Sequence, residues 1–171
     1  MTQEIQAAID RLVAMRGQSP RDLLNAFVDE AAALTGSKLS YFAVLNDVGD
    51  KLTMLGWSRA AMGECSMIDK PLDYPLEQTG VWGDCIRERR AVIINDYPGC
   101  TKVTKKGYPN GHVNVIRHAN LPIWEGARMV GLLGVGNKET DYSEADMTVL
   151  SAYVQQAWAF VKKEVVDEMS I

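Results

Sequence analysis

The hydrophobic period of this chain changes along its length, and that alternation limits the available folds more than any single motif does. Leu23, Leu24, Phe27, Val28, Ala31 and Leu34 form one apolar stripe at helical spacing, the pattern of a helix that buries one face. Ser19 offers a cap ahead of it, Pro20 suits the first helical position, and Gly36 ends it. An earlier repeat of Ile5, Ile9, Leu12 and Val13, stopped by Gly17, predicts a shorter helix within residues 1–18. From Leu39 the period drops to two. Leu39, Tyr41, Ala43 and Leu45 alternate with Ser40, Phe42, Val44 and Asn46, so both faces of this strand are mostly apolar and both need covering. Asn46 to Asp50 is turn chemistry, and Leu52, Met54 and Trp57 form the return strand of a hairpin.

Residues 58–78 show no clear period and contain Gly63, Pro71 and Pro75, which predicts a covering segment with one short helix at most. Val81, Trp82, Cys85 and Ile86 give a short helix with a basic end at Arg87, Arg89 and Arg90, and Ala91 to Ile94 a buried strand. Between Asp96 and Val115, the residues Pro98, Gly99, Gly107, Pro109, Asn110 and Gly111 impose a long loop, and such loops in compact domains are usually functional or disordered. Val115 to Trp124 and Met129 to Asn137 form a second hairpin. A last helix opens near Ser143 with Asp146 completing a capping box, and Met147, Leu150, Val154, Ala157, Val161 and Val165 hold its stripe. Helices, hairpin, cover, strand, loop, hairpin, helix: this order predicts an α+β domain with an antiparallel sheet and the helices on one face. It argues against a doubly wound sheet, because Gly134-Val135-Gly136 ends a strand and lacks the third glycine of a dinucleotide loop.

With 171 residues the chain has room for one domain. We divide it into an N-terminal helix over 1–18, a core over 19–161 and a helical extension or linker over 162–171. The net charge is −4, so no global field draws it to nucleic acid or to an anionic membrane. No apolar run reaches the roughly 20 residues of a membrane span. Cys65, Cys85 and Cys100 are odd in number and widely spaced, which predicts free thiols in a reducing, cytoplasmic setting. His112 and His118 lie six apart and match no common zinc spacing. Neither a metal nor a cofactor is expected.

Four strings extend this reading: Gly80-Val81-Trp82-Gly83-Asp84, Pro122-Ile123-Trp124-Glu125-Gly126, Val130 through Lys138, and Tyr142-Ser143-Glu144-Ala145-Asp146. Together with the element order they resemble the GAF domain family of small-molecule sensor modules, over about Pro20 to Val161. The last two strings look like the Asn-Lys, Phe, Asp-Glu signature of cyclic-nucleotide-binding members. Asn137, Lys138 and Asp146 match it, Tyr142 stands for the Phe and Met147 for the Glu. In that family the Lys and Asp pair to hold the last strand to the last helix, which implies a structural role for Asn137, Lys138, Tyr142 and Asp146. The segment from Lys105 to His118 resembles GAF domains of bacterial signalling proteins. The resemblance implies a six-stranded or similar sheet, terminal helices on one face, and a roof over a ligand cavity on the other, built from residues 58–90 and 95–115.

Six residues are candidates for ligand contact. Arg117 and His118 are adjacent on a strand, so only one of them faces the cavity; an inward arginine would require an anion. Trp82, Tyr97 and Tyr108 offer flat surfaces with a polar handle, suited to gripping a ring or filling a core. His112 can donate from the loop or serve its turn. The expected ligand is thus a small anionic or aromatic molecule, and the expected output runs through the terminal helices to an effector absent from this chain or on another protein. A homodimer through residues 4–16 and 147–165 is expected, although burial of the same stripes on the chain's own sheet yields the same pattern. Two alternatives remain: an enzyme resembling the free methionine sulfoxide reductases, using Cys100 with Cys85 or Cys65, and a ligand-free dimerisation module. That reductase branch places a cysteine where this chain has Trp82, and no other catalytic constellation stands out, so catalysis is not expected.

Overall fold

A computed structural model describes residues 2–64, 72–108 and 111–166. Helix α1 (Gln3–Ala14) starts at Thr2, whose hydroxyl accepts from the Ile5 amide. Helix α2 (Pro20–Thr35) is capped by Ser19, carries its proline in the first turn, and ends at Gly36 with φ 66°, the left-handed geometry that glycine adopts without strain. Strands β1 (Leu39–Leu45) and β2 (Lys51–Trp57) form the first hairpin, followed by the short helix α3 (Arg59–Glu64) and strand β3 (Leu72–Pro75). Two 3₁₀ turns, Leu76–Gln78 and Val81–Gly83, lead into helix α4 (Asp84–Arg87). Strand β4 (Val92–Ile94), the hairpin of β5 (His118–Glu125) and β6 (Arg128–Gly136), and helix α5 (Glu144–Val161) complete the fold.

The six strands run in the order β3-β2-β1-β6-β5-β4, with every neighbouring pair antiparallel. The α+β architecture is therefore as the sequence predicts. Strand β3 is the exception. It falls in the stretch read as period-free cover, because its four residues are too few to establish an alternation and prolines stand at positions 71 and 75. Pairing with β2 from Lys51 to Met54 is what makes it a strand.

Each sheet face has its own core. Leu24, Phe27, Val28, Phe42, Leu121, Leu133, Leu150 and Tyr153 pack α1, α2 and α5 onto one face. Phe27 meets Phe42 edge-on at 5.6 Å and stacks on Tyr153 at 5.5 Å. On the other face Ala43, Leu52, Leu132, Val92 and Ile94 meet Val81, Cys85, Ile86 and Tyr97 from the covering segments. Strand β1 reaches both faces because it lies near the middle of the sheet, which is why its sequence is apolar at nearly every position. After Val161 the last helix widens into π-type turns over Lys162–Val166, and Val165 is sealed in the helical core.

Candidate functional site

The covering layer is tied down at its centre by one carboxylate. Asp84, 2% exposed, accepts from Arg87 Nε and Nη2 on one oxygen and from Lys102 Nζ and Thr104 Oγ1, at 2.8 and 2.9 Å, on the other. Lys102 also reaches Glu88, and Arg87 donates to the carbonyls of Leu76 and Gly80. Burial alone would raise the Asp84 pKa; the three donors outweigh it and hold the group below its ordinary value. The same contacts lift Lys102 against its own desolvation. The loop is thus fastened to α4, and its neck is closed where the Tyr97 amide donates to the Ile116 carbonyl at 2.8 Å.

Within that loop Tyr97 stacks on Tyr108 at 5.7 Å and Tyr108 on His112 at 4.8 Å, while Lys105 lies 4.9 Å from the Tyr97 ring. Tyr97 is the buried end of this pile. Tyr108, 39% exposed, is the outer part and bonds Asn114 at 2.8 Å, and His112 Nδ1 lies 2.7 Å from the Val113 carbonyl. Arg117 turns away from the covered face and donates to the carbonyls of Lys138 and Glu139. Of the six expected ligand residues, only Trp82, Tyr97 and His118 face the sheet beneath the cover.

His118 begins a polar strip that residue-by-residue reading had missed. Its Nδ1 lies 2.7 Å from Asn120 Oδ1, and Asn120 Nδ2 donates to the Tyr41 hydroxyl at 2.5 Å. His118 and Asn120 alternate along β5 and so share a face, and Tyr41 joins them from β1 across the bare backbone of Gly134. A Cβ at Gly134 would stand 2.2 Å from Tyr41 Cζ and 2.6 Å from Asn120 Nδ2, so the strip needs glycine there. Burial depresses the His118 pKa and keeps the ring neutral, with the Asn120 contact opposing the shift. Trp82 meets Tyr41 edge-on at 6.4 Å and Tyr74 at 5.4 Å. The signal for Asn120 was available as a polar residue inside an otherwise apolar strand; nothing local distinguished Tyr41 from core filler.

Tyr41, Trp57, Tyr74 and Trp82 are half-buried, although Ala43 and Leu132 beside them are sealed. Tyr41 is also enclosed enough for desolvation to push its hydroxyl pKa upward. A groove of about 490 Å³ lies on the helical side, between the β4–β5 edge and α5, with Ala91, Leu121, Trp124, Met147 and Ser151 in its wall. None of the six expected ligand residues lines it.

The four motif residues form a clasp between β6 and α5. Lys138 Nζ pairs with Asp146 at 2.7 Å, Asp146 accepts from the Ser143 amide at 2.8 Å, and the Tyr142 hydroxyl meets Ser37 at 2.7 Å. Asn137, at φ 57°, accepts from the Ile116 amide and donates to the Asn114 carbonyl, so it holds the loop's exit as well. Cys85 is sealed, and burial pushes its thiol pKa upward. Cys100 is half-buried, and Cys65 lies outside the described residues.

The GAF domain family model matches residues 17–162. A methyl sulfide methyltransferase-associated sensor of Methanosarcina acetivorans is 41% identical over 161 residues, 94% of this chain and 16% of that protein. The chain therefore spans about a sixth of this curated relative. Among solved structures, the GAF domain of an Acinetobacter phosphoenolpyruvate-protein phosphotransferase superposes with a TM-score of 0.69 at 16% identity, covering 95% of each chain. A type II free methionine-R-sulfoxide reductase from Thermoplasma acidophilum superposes at 0.62 with 13% identity, covering 85% of this chain and 94% of that one. At such identities these likenesses speak for the fold alone. A family match across most of the chain, on a six-stranded sheet with helices on one face and a tethered cover on the other, makes this protein a member of the GAF domain family.

Proposed function

We propose that this domain is a sensory module that binds a small molecule between its sheet and its cover. The observation that carries this reading is the half-accessible aromatic group, Tyr41, Trp57, Tyr74 and Trp82, on a face where neighbouring side chains are sealed. The 41% identical relative, named a sensor, supports the same reading. A ligand seated there would bias the cover, whose attachments include Asp84 and Asn137. Asn137 adjoins the Lys138–Asp146 clasp, so a shift there is passed to the start of α5. The effector belongs to a longer protein or a partner, in a cytoplasmic setting. A homodimer would use the outer faces of α1 and α5, because Ile5, Ala8 and Leu12 are already buried against the chain's own core.

A thiol enzyme is the weaker reading, since Cys85 is sealed and its thiol pKa raised. Thermal-shift screening of a metabolite library tests the proposal. A compound at 100 times its dissociation constant adds about 2.7 kcal/mol, or roughly 5–10 °C for a chain of this size. Hydrogen exchange should then slow in residues 95–117 and at the start of α5. A library without a single shift, together with methionine sulfoxide turnover that is lost on Cys100→Ser, would establish the enzyme instead.

A further inference from the structure

The helical layer stops short of one edge of the sheet. Helix α2 packs mainly on β1, β2 and β6, and α5 on β5, so β4, next beyond β5, lies at the layer's margin. The groove of about 490 Å³ runs along that margin, between α5 at Met147, Ser151 and Gln155 and the sheet at Ala91, Leu121 and Trp124. From Met147 to Val161 the helix carries no charged residue, although Thr148, Ser151 and Gln155 are exposed. Trp124 is exposed as well, by 38%. A helix flank that meets only water is normally polar and charged, whereas missing charge around tryptophan, methionine and arginine marks a surface that a partner covers.

The sheet side of the groove is cationic. Arg90 lines it and pairs with Glu88, a carboxylate that Lys102 shares. Arg89 lies 4.8 Å over the Trp124 ring, and among the described residues its guanidinium meets no carboxylate and no carbonyl. Glu125, next to Trp124, is held by Trp158 and Lys162. Arg89 also closes α4 at φ 56°, where its amide donates to the Ile86 carbonyl and the Arg90 amide to that of Cys85. Glycine closes such a helix end without strain, so an arginine there lowers stability. In exchange a cation sits on Trp124 with N–H groups left for a second partner.

The geometry also selects the shape of that partner. Strand β4 pairs with β5 only over His118–Asn120, and Pro122, in the stretch beyond, has no amide to give an added strand. The slot beside α5 therefore suits a helix. A second copy meeting it groove to groove would bring Arg89 no carboxylate, because none is among the lining residues.

We propose that this groove docks an acidic amphipathic helix of a partner protein, whose apolar residues lie between Trp124 and Met147 and whose carboxylate pairs with Arg89. The docking goes beyond the sensory reading and stands whether or not a small molecule binds beneath the cover. Two amidated peptides of roughly 15 residues, a Leu/Ala helix flanked by Glu and the same helix with Lys for Glu, are titrated into the ¹⁵N-labelled whole chain. The Glu peptide should shift the Trp124 indole and the Thr148, Ser151 and Gln155 amides, bind more tightly than the Lys peptide, and weaken as salt is raised. Arg89→Gly relieves the helix end, so it should unfold at no lower temperature than the wild type, yet bind the Glu peptide about two- to fivefold more weakly. Equal or tighter binding of the Lys peptide, shifts confined to other faces, or none up to about 1 mM overturns the proposal. Unchanged binding by Arg89→Gly overturns it too, as does a lower unfolding temperature of that variant, which would make the arginine a structural brace. Self-association of the wild-type chain that Ser151→Glu disperses would assign the groove to a second copy and overturn it likewise.

Discussion

At the scale of single residues, the covered face of the sheet holds His118 uncharged. His118 has a depressed pKa in the fold because burial penalises the imidazolium. The unfolded chain takes up a proton near pH 6.5 and the folded one resists it, so the stability that a neutral His118 permits is complete above about pH 6.5 and falls as the pH drops through that value. Urea unfolding at pH 7.5 and pH 5.5 should show this loss in the wild type and a smaller one in His118→Gln. Equal slopes in the two proteins would deny that His118 is the group. Gly134→Ala should cost about 1–3 kcal/mol by overpacking, and should separate Tyr41 from Asn120, seen as a changed environment of the Tyr41 ring by NMR. The sequence marked His118 and Trp82 as candidates from residue type alone. It gave no reason to join His118 to Tyr41, 77 positions earlier in the chain, because the contact exists only once β6 lies between β1 and β5.

At the scale of elements, an ionic clasp holds the cover and another holds the start of the last helix. Asp84→Asn should destabilise the domain by about 1.5–3 kcal/mol, the range for hydrogen bonds to a charged group, and hydrogen exchange should quicken in residues 95–108 before the sheet is affected. The pH dependence has a definite sign. Because the fold lowers the Asp84 pKa, its contribution is whole above the ordinary value of about 4 and is lost as the pH falls below it. Lys138→Met removes the partner of Asp146, half-buried at the start of α5, and should lower stability by about 1 kcal/mol, measured by chemical denaturation. The helices α1, α2 and α5 were legible in advance because caps, glycines and stripes are local signals. Strand β3 was not, since a four-residue edge strand is specified by the partner it pairs with.

At the scale of the whole molecule, two cores share one sheet, and the end of the chain belongs to the first of them. Val165 is fully buried beyond the last α-helical residue, so Val165→Ala should cost about 1.5–2.5 kcal/mol. If residues from 162 onward were only a linker, thermal unfolding would show no difference. Two things follow from the order of residues by itself: the alternation of helical and strand periods, which fixes an α+β antiparallel fold, and the caps and turns that bound its elements. Both rest on neighbours a few positions apart, which an amino-acid string records directly. Which polar groups face one another under the cover was decided by tertiary structure alone. Sheet register brings Tyr41, Asn120 and His118 to one surface, although they stand up to 79 positions apart in the chain.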